Sequence, residues 1–452
     1  MFVNMDTLFK DSLMIPEEHQ HRYAYHFTSV ENLDSILSNG MLSTSLKKSK
    51  SISHTDISLK DIQNRRQDML VPCLPPKKVH DFVPLYFSKR TPMLLSVLRT
   101  KNIDQFYIIY FAVPISLIDR DDVVFSDAAA NTLIPPNFYS NPENLNKLDW
   151  KEIDSWDWNP PSPRKQKKMA EMLILDELKI SDVSYIVVWN DSVAQYIKKL
   201  FNEKNIPCPR IQCFDATHYF MDLQNKGKTS AIIGPIELKQ KVDSLVEKIC
   251  TSSKNPKKFA SLQEANIAIH KNFSCIPELS EIEGLKTSNI IHHEDIGAHS
   301  RTVAKNATST PEYQNLNIQN KNILVFASFL HDIGKGPKSR WKDGIQHVDH
   351  NHAVKALPML ERILSEDIAE LTQECIRKIV TLVIYDDLVG DIIAKHRDKK
   401  QFFDIITCNE DIDMLIAISK SDIGAINTTW LEDSIAPMEL LKIEARKHLL
   451  AR

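Results

Sequence analysis

Residues 328–336 read SFLHDIGKG, an apolar stretch that ends on the adjacent pair His331 and Asp332 and continues through Gly334 and Gly336. A histidine and an aspartate side by side at the end of an apolar helix look like part of a metal site, because imidazole nitrogen and carboxylate oxygen both ligate divalent ions. Outward from the pair, residues 290–452 carry helical periodicity almost throughout, with strand signals nearly absent. Two further donors lie in helix-like segments of this stretch, His299 in AHSRTVAKNA and Asp422 in SKSDIGAIN. Taken singly, each would more often be a surface or capping residue. Together, imidazoles and carboxylates from separate helices can converge on one ion and leave positions for water and a phosphate oxygen.

More than three hundred residues precede the pair. A chain of 452 residues suggests two or three domains. The apolar fraction of 42% and charged fraction of 25% are ordinary for a globular protein. A net charge of −3 excludes a polycation, so any nucleic-acid surface must be a local patch. The seven cysteines form no CxxC and are odd in number, which favours reduced thiols and a cytoplasmic setting over a disulfide framework. No signal peptide and no membrane-length apolar run is expected. Of the ten glycines, only Gly40 lies in the first 220 residues. A Rossmann fingerprint or a P-loop needs clustered glycines for close approach to phosphates. A nucleotide bound by the first half therefore needs another architecture.

That half alternates short strands and helices. YAYHFTS, DFVPLYFS, QFYIIYFAVPI, VVFSD, SYIVVWN and PRIQCFD are rich in aromatic and β-branched residues and predict strands. VENLDSILSN, stopped by Gly40, and DSVAQYIKKLFNEKN predict helices. Residues 46–80 read as a long polar loop with a short helix around DIQNRRQDM, an exposed segment. Residues 223–289 read as a polar linker with one helical stretch, PIELKQKVDSLVEKI. The expected organisation is an α+β domain over 1–222, the linker over 223–289, and an all-α domain over 290–452.

Four pieces of the first half matter as a set: YHFTSVENLDSIL (25–37), DIQNRRQDMLVPC (61–73), HDFVPLYFSKRTPML (80–94) and KQKKMAEMLIL (165–175). In this order they resemble the DarT family of single-stranded-DNA ADP-ribosyltransferases, over roughly residues 22–221. LDWKEIDSWDW (148–158) and PRIQCFDATHYF fit the same family. The resemblance implies a split ADP-ribosyltransferase β-core that binds NAD in a cleft without a glycine fingerprint. It implies Glu171 and Arg66 as catalytic residues, with His26, Thr28, Asn32 and Arg66 as NAD-binding residues. It implies Arg90, His80 and Asp81 as substrate-binding residues. The sequence departs from the family at Ser29, often a histidine, and at Lys89-Arg90-Thr91, often Pro-Arg-Ser. In the second half, His299, His331, Asp332 and Asp422 resemble the ligands of the HD phosphohydrolase superfamily, which implies a divalent metal, Mn, Fe or Mg. GPKSRWKDGIQHVDHNHAVKAL resembles the segment that supplies further histidines, with His350 and His352 ahead of His347. Asp386 stands where many relatives carry histidine, which counts against a second metal.

These readings imply an NAD-dependent transferase that modifies a base in single-stranded DNA, with RNA as a second candidate. They imply a bacterial toxin or phage-defence role opposed by a macrodomain-type antitoxin. Basic clusters at 46–50, 65–66, 75–78, 88–90 and 164–168, near Tyr86, Phe87, Trp156 and Trp158, suit a single strand. The rival reading makes the second half the main enzyme, a nucleotide phosphohydrolase or phosphodiesterase with the first half as recognition module. A third makes it a metal-held regulatory scaffold.

Overall fold

The computed structural model describes residues 14–55, 60–73, 75, 77–132, 134–213, 215–222, 230–252, 258–289, 291, 293–349, 351–369, 371–395 and 397–452. His350 lies outside them. The chain divides into two compact units, residues 1–99 with 103–232, and residues 100–102 with 233–452.

The first unit is built on an eight-stranded sheet. Its strands are β1 (Tyr23–Ser29), β2 (Phe82–Tyr86), β3 (Ile108–Pro114), β4 (Val123–Ser126), β5 (Phe138–Tyr139), β6 (Glu171–Leu175), β7 (Tyr185–Val188) and β8 (Arg210–Cys213). The order across the sheet is β8-β7-β3-β1-β2-β6-β4-β5. β3 is covered on both faces, which explains its unbroken apolar sequence. Ile109, Phe111 and Val113 enter one hydrophobic cluster, and Ile108, Tyr110 and Ala112 another, as the two-residue period of a strand requires.

The sheet is split in the middle. β1 pairs with β3 along its whole length, and β2 with β6 along its whole length. Between β1 and β2 the register holds only Tyr25 opposite Tyr86. Beside this joint His26 Nδ1 lies 2.8 Å from the carbonyl oxygen of Pro84, a side chain taking the place of a backbone rung. Helix α1 (Leu33–Asn39) follows β1 and ends at Gly40, whose φ of 84° favours glycine. Helix α2 (Lys60–Asp68) carries the paired arginines, and the amphipathic α3 (Asp191–Glu203) starts on an Asn190 cap. The loop expected over 46–80 is shorter than its polarity suggested. Thr44–Ser49 is helical, because the Ser43 hydroxyl accepts from Leu46 N at 3.2 Å and supplies an N-cap.

The second unit is helical: α4 (Pro235–Thr251), α5 (Leu262–Lys271), α6 (Ile296–Ala307), α7 (Ile318–Leu330), α8 (His352–Arg362), α9 (Gln373–Ile384), α10 (Asn409–Ile426) and α11 (Thr428–Leu450) are its longest helices. A second helical stretch beyond PIELKQKVDSLVEKI was not expected between 223 and 289, yet α5 forms there. It has a Ser261 cap, and its buried Leu262, Ala265 and Ile269 are spaced for one helix face. One short strand pair, Lys286–Thr287 with Ile345–Gln346, interrupts the helical pattern. α7 is buried from Ile323 to Leu330, so the residues that follow it, His331 and Asp332, emerge inside the core.

Candidate active site and metal centre

The split in the sheet opens on a cavity of about 440 Å³. His26 and Thr28 from β1, Asn32 beyond it, Arg66 from α2, His80, and Pro84 and Tyr86 from β2 all line it. Glu171, the first residue of β6, pairs in register with Tyr86 and is fully buried. Arg66 joins the two. Its Nη1 donates to Glu171 Oε1 at 2.9 Å and its Nη2 to Oε2 at 2.8 Å, while Ala130 N donates to Oε1 at 3.0 Å. This is the bidentate geometry in which a guanidinium fixes a carboxylate's plane. Burial favours neutral Arg66, but the Glu171 carboxylate outweighs it and holds the guanidinium above its ordinary value. The exposure expected of DIQNRRQDM fails at this position: Arg66 is 5% exposed, because one face of α2 turns inward onto β6. Arg65 remains on the outer face, with Nε donating to the carbonyl of Asn131.

The other residues expected here fall into distinct places. Asn32 spends its amide within the protein. Nδ2 donates to Thr28 Oγ1 and to Thr55 O, each at 3.0 Å, and Oδ1 accepts from Thr55 N at 2.8 Å. His80 Nε2 lies 3.1 Å from Gln63 Oε1. Burial lowers His26 to about 4, and burial together with the charge of Arg66 lowers His80 to about 4, so both imidazoles are neutral at neutral pH. Asp81 is not among the residues lining the cavity, and its carboxylate accepts from Lys78 N at 2.9 Å. Arg90 lines a second cavity of about 450 Å³ with Tyr23, Tyr25 and Trp156. Its guanidinium lies 4.8 Å from the Trp156 ring and 5.0 Å from the Trp158 ring. Lys168 went unremarked in the sequence. Its buried ammonium donates to the carbonyls of Ser155 at 2.5 Å, Glu152 at 3.3 Å and Ile153 at 3.4 Å, fixing the start of the loop that carries both tryptophans. Three lysines and only one acid in KQKKMAEMLIL gave no sign of which lysine turns inward.

In the second unit the four expected ligands divide between two clusters. His299, His331 and Asp422 form one, and Asp332 with His352 and Asp386 the other. Within each, the donor atoms lie within 4.8 Å of one another. His299 Nε2 is 2.8 Å from Asp422 Oδ1. Burial raises the Asp422 carboxyl, but His299 outweighs it and holds it below its ordinary value. His331 Nδ1 is 2.8 Å from Ser328 O, an outer contact that turns Nε2 toward the cluster. His331 Nε2 and His352 Nε2 are buried with no hydrogen-bond partner, as nitrogens directed at an ion would be. Lys335 Nζ donates to Asp332 Oδ2 at 2.7 Å. His347 pairs with Asp343 on the surface. The second cluster runs against the expectation drawn from Asp386, since a carboxylate fills the position as a donor. The residues present fit one or two divalent ions with mixed nitrogen and oxygen ligands.

The comparisons with known families make the first unit an ADP-ribosyltransferase domain, here joined to an HD-type helical domain. The chain belongs to the DarT family. Residues 25–221 match the family model described as ssDNA thymidine ADP-ribosyltransferase, DarT, and residues 296–413 match the HD domain. A DNA ADP-ribosyl transferase from Thermus sp. (strain 2.9) is 29% identical over 187 residues, covering 40% of this chain and 87% of that protein. One from Thermus aquaticus (strain ATCC BAA-2747 / Y51MC23) is 31% identical over 158 residues, covering 34% of this chain and 68% of that protein. The solved structure of Thermus sp. 2.9 DarT in complex with ADP-ribosylated ssDNA aligns at 25% identity and a TM-score of 0.41, over 46% of this chain and 99% of that one. No helix among the described residues is long and apolar enough to cross a membrane.

Proposed function

We propose that the first unit transfers ADP-ribose from NAD to a base in single-stranded DNA. The observation that carries this reading is the Arg66–Glu171 pair beneath the cavity at the split. Nicotinamide leaves the ribose through an oxocarbenium-like state. A carboxylate held in one plane can accept from a ribose hydroxyl and stabilise that cation. Arg66 stays charged and orients Glu171. The relatives' names supply the acceptor class, and the family description narrows it to thymidine. Incubation with labelled NAD and single-stranded oligonucleotides that differ in one base tests it. Label should enter thymidine-containing DNA, and Glu171→Gln should abolish transfer. Label entering RNA alone, or full transfer by Glu171→Gln, refutes the reading. A toxin role follows from the same chemistry, and growth arrest on expression, absent for Glu171→Gln, checks it.

The two His/Asp clusters favour a second activity, hydrolysis of a phosphate ester or anhydride by the helical unit. His299, His331 and Asp422 would hold one divalent ion, and Asp332, His352 and Asp386 a second. Bound metal supplies Lewis-acid polarisation and a water of lowered pKa. The chain's residues fix the ligand directions, through Ser328 O on His331 and Lys335 on Asp332. A panel of nucleotides and phosphodiesters assayed with Mn, Fe and Mg tests this. Metal binding with no turnover of any member would leave the helical unit as a scaffold.

A further inference from the structure

Lys168 ends the short helix Arg164–Lys167, three residues before Glu171, and is 2% exposed. An ammonium carries three donors and no acceptor. Here the donors meet three carbonyls, those of Ser155, Glu152 and Ile153, and none goes to a carboxylate. The acids whose charge reaches Lys168 are tied elsewhere. Glu152 and Asp157 face Arg164 at 2.9 and 3.6 Å, and Asp154 faces Arg22 at 2.9 Å. Desolvating a charge is costly, and packing alone does not call for it, since an apolar side chain of similar length would fill the same space. The ammonium is there for the carbonyls.

Those carbonyls belong to the wall of the second cavity, which Ile153, Ser155 and Trp156 line together with Tyr25 and Arg90. Arg90 donates to Tyr219 O at 3.3 Å and lies beside the Trp156 and Trp158 rings. A guanidinium among aromatic rings, with no carboxylate paired to it among the described residues, suits a phosphate and base of a single strand. We propose that Lys168 is a positioning residue for the acceptor strand: its ammonium ties the wall of this cavity to the segment that carries Glu171, and so sets where the strand lies relative to the acid. The inference rests on the transferase reading above. Lys168 acts through the loop and need not touch DNA or NAD. A neutral amine keeps two donors and turns a lone pair toward the third carbonyl, so the tie depends on the proton. Burial, and after it the charge of Arg90, lower Lys168 to about 8, against the opposing pull of Glu152, Asp154 and Asp157. Capture of the acceptor should therefore weaken as pH rises through about 8. NAD capture in the cavity at the split should not follow it.

Steady-state transfer by the full chain, from labelled NAD to a thymidine-containing single strand, tests this between about pH 7 and 9. The KM for DNA should rise by up to about 10-fold over that range, as the protonated fraction falls, with kcat and the KM for NAD changing by less than about twofold. Lys168→Met should show the raised KM for DNA already at pH 7 and lose its pH dependence. Lys168→Arg, charged at every pH, should recover part of the native KM and show no rise. A native KM for DNA that stays level with pH would overturn the proposal, and this measurement decides alone if Lys168→Met does not fold. A folded Lys168→Met with the native KM and profile would overturn it too, as would a loss confined to kcat. In each of these cases transfer itself persists and the transferase reading stands. No transfer by the native chain at any pH would overturn both.

Discussion

Arg66 lies in KDIQNRRQD, a stretch without one large apolar residue beyond Ile62, and its neighbour Arg65 does face outward. Nothing local tells the two apart. The distinction comes from Glu171, more than a hundred residues later, whose burial on β6 demands a cation. A buried pair is expensive to break from one side, because the survivor keeps an uncompensated charge. Arg66→Ala should therefore lower stability by about 3–5 kcal/mol as well as abolish transfer. The double change Arg66→Ala with Glu171→Ala should recover much of that stability and none of the activity. Calorimetry of the three variants checks this. His26 and His80 give a second expectation at this scale. Each is held near 4 in the fold and returns to about 6.5 when unfolded. Between those values the unfolded chain binds more protons, so the stability of the first unit is full above about pH 6.5 and falls as pH drops toward 4. His80→Gln should make the fall in Tm over that window shallower.

At the scale of elements, most strands and the long helices were legible because period and composition agree in them. β3 and α3 are instances: one an unbroken apolar run between polar loops, the other a clean amphipathic pattern. α5 and Thr44–Ser49 were hidden for an opposite reason. Both are short, flanked by lysine and serine, and are fixed by caps rather than by a long apolar stripe. Two glycines after the His-Asp pair were legible as a motif without their cause. At Gly334 a side-chain methyl would sit 1.9 Å from the His352 carbonyl oxygen and 2.9 Å from Ala356 N, so this turn packs directly on the first turns of α8. Gly334→Ala should push α8 away, cost about 1–3 kcal/mol, and reduce bound metal by displacing His352. Thermal melting with elemental analysis of the same sample checks both effects.

For the molecule as a whole, the two halves were distinguishable from glycine usage and periodicity alone, and the identity of each from its motifs. The grouping of metal ligands was not, because which of four donors share an ion depends on how α6, α7, α8 and α10 cross. Two clusters predict up to two divalent ions per chain. Asp386→Ala should lower that number by about one if both are filled. Chelation should lower the melting temperature of the helical unit and leave ADP-ribose transfer intact, because no metal donor cluster among the described residues lies in the first unit. Transfer lost on chelation would contradict this.

The lone Tyr25–Tyr86 rung makes the sheet two four-stranded halves, each with an inner edge hidden in mid-sheet. This is why Pro84, which has no N–H to give, sits in an interior strand: on that side there is no ladder for it to interrupt. Deuterium exchange should read the seam directly. Amides of β1 that face β3 should be among the slowest in the unit, and those of β2 that face β1 should exchange like the margin of a sheet. An added dinucleotide should slow the second group first, because it would bind where neighbouring strands leave backbone groups unclaimed.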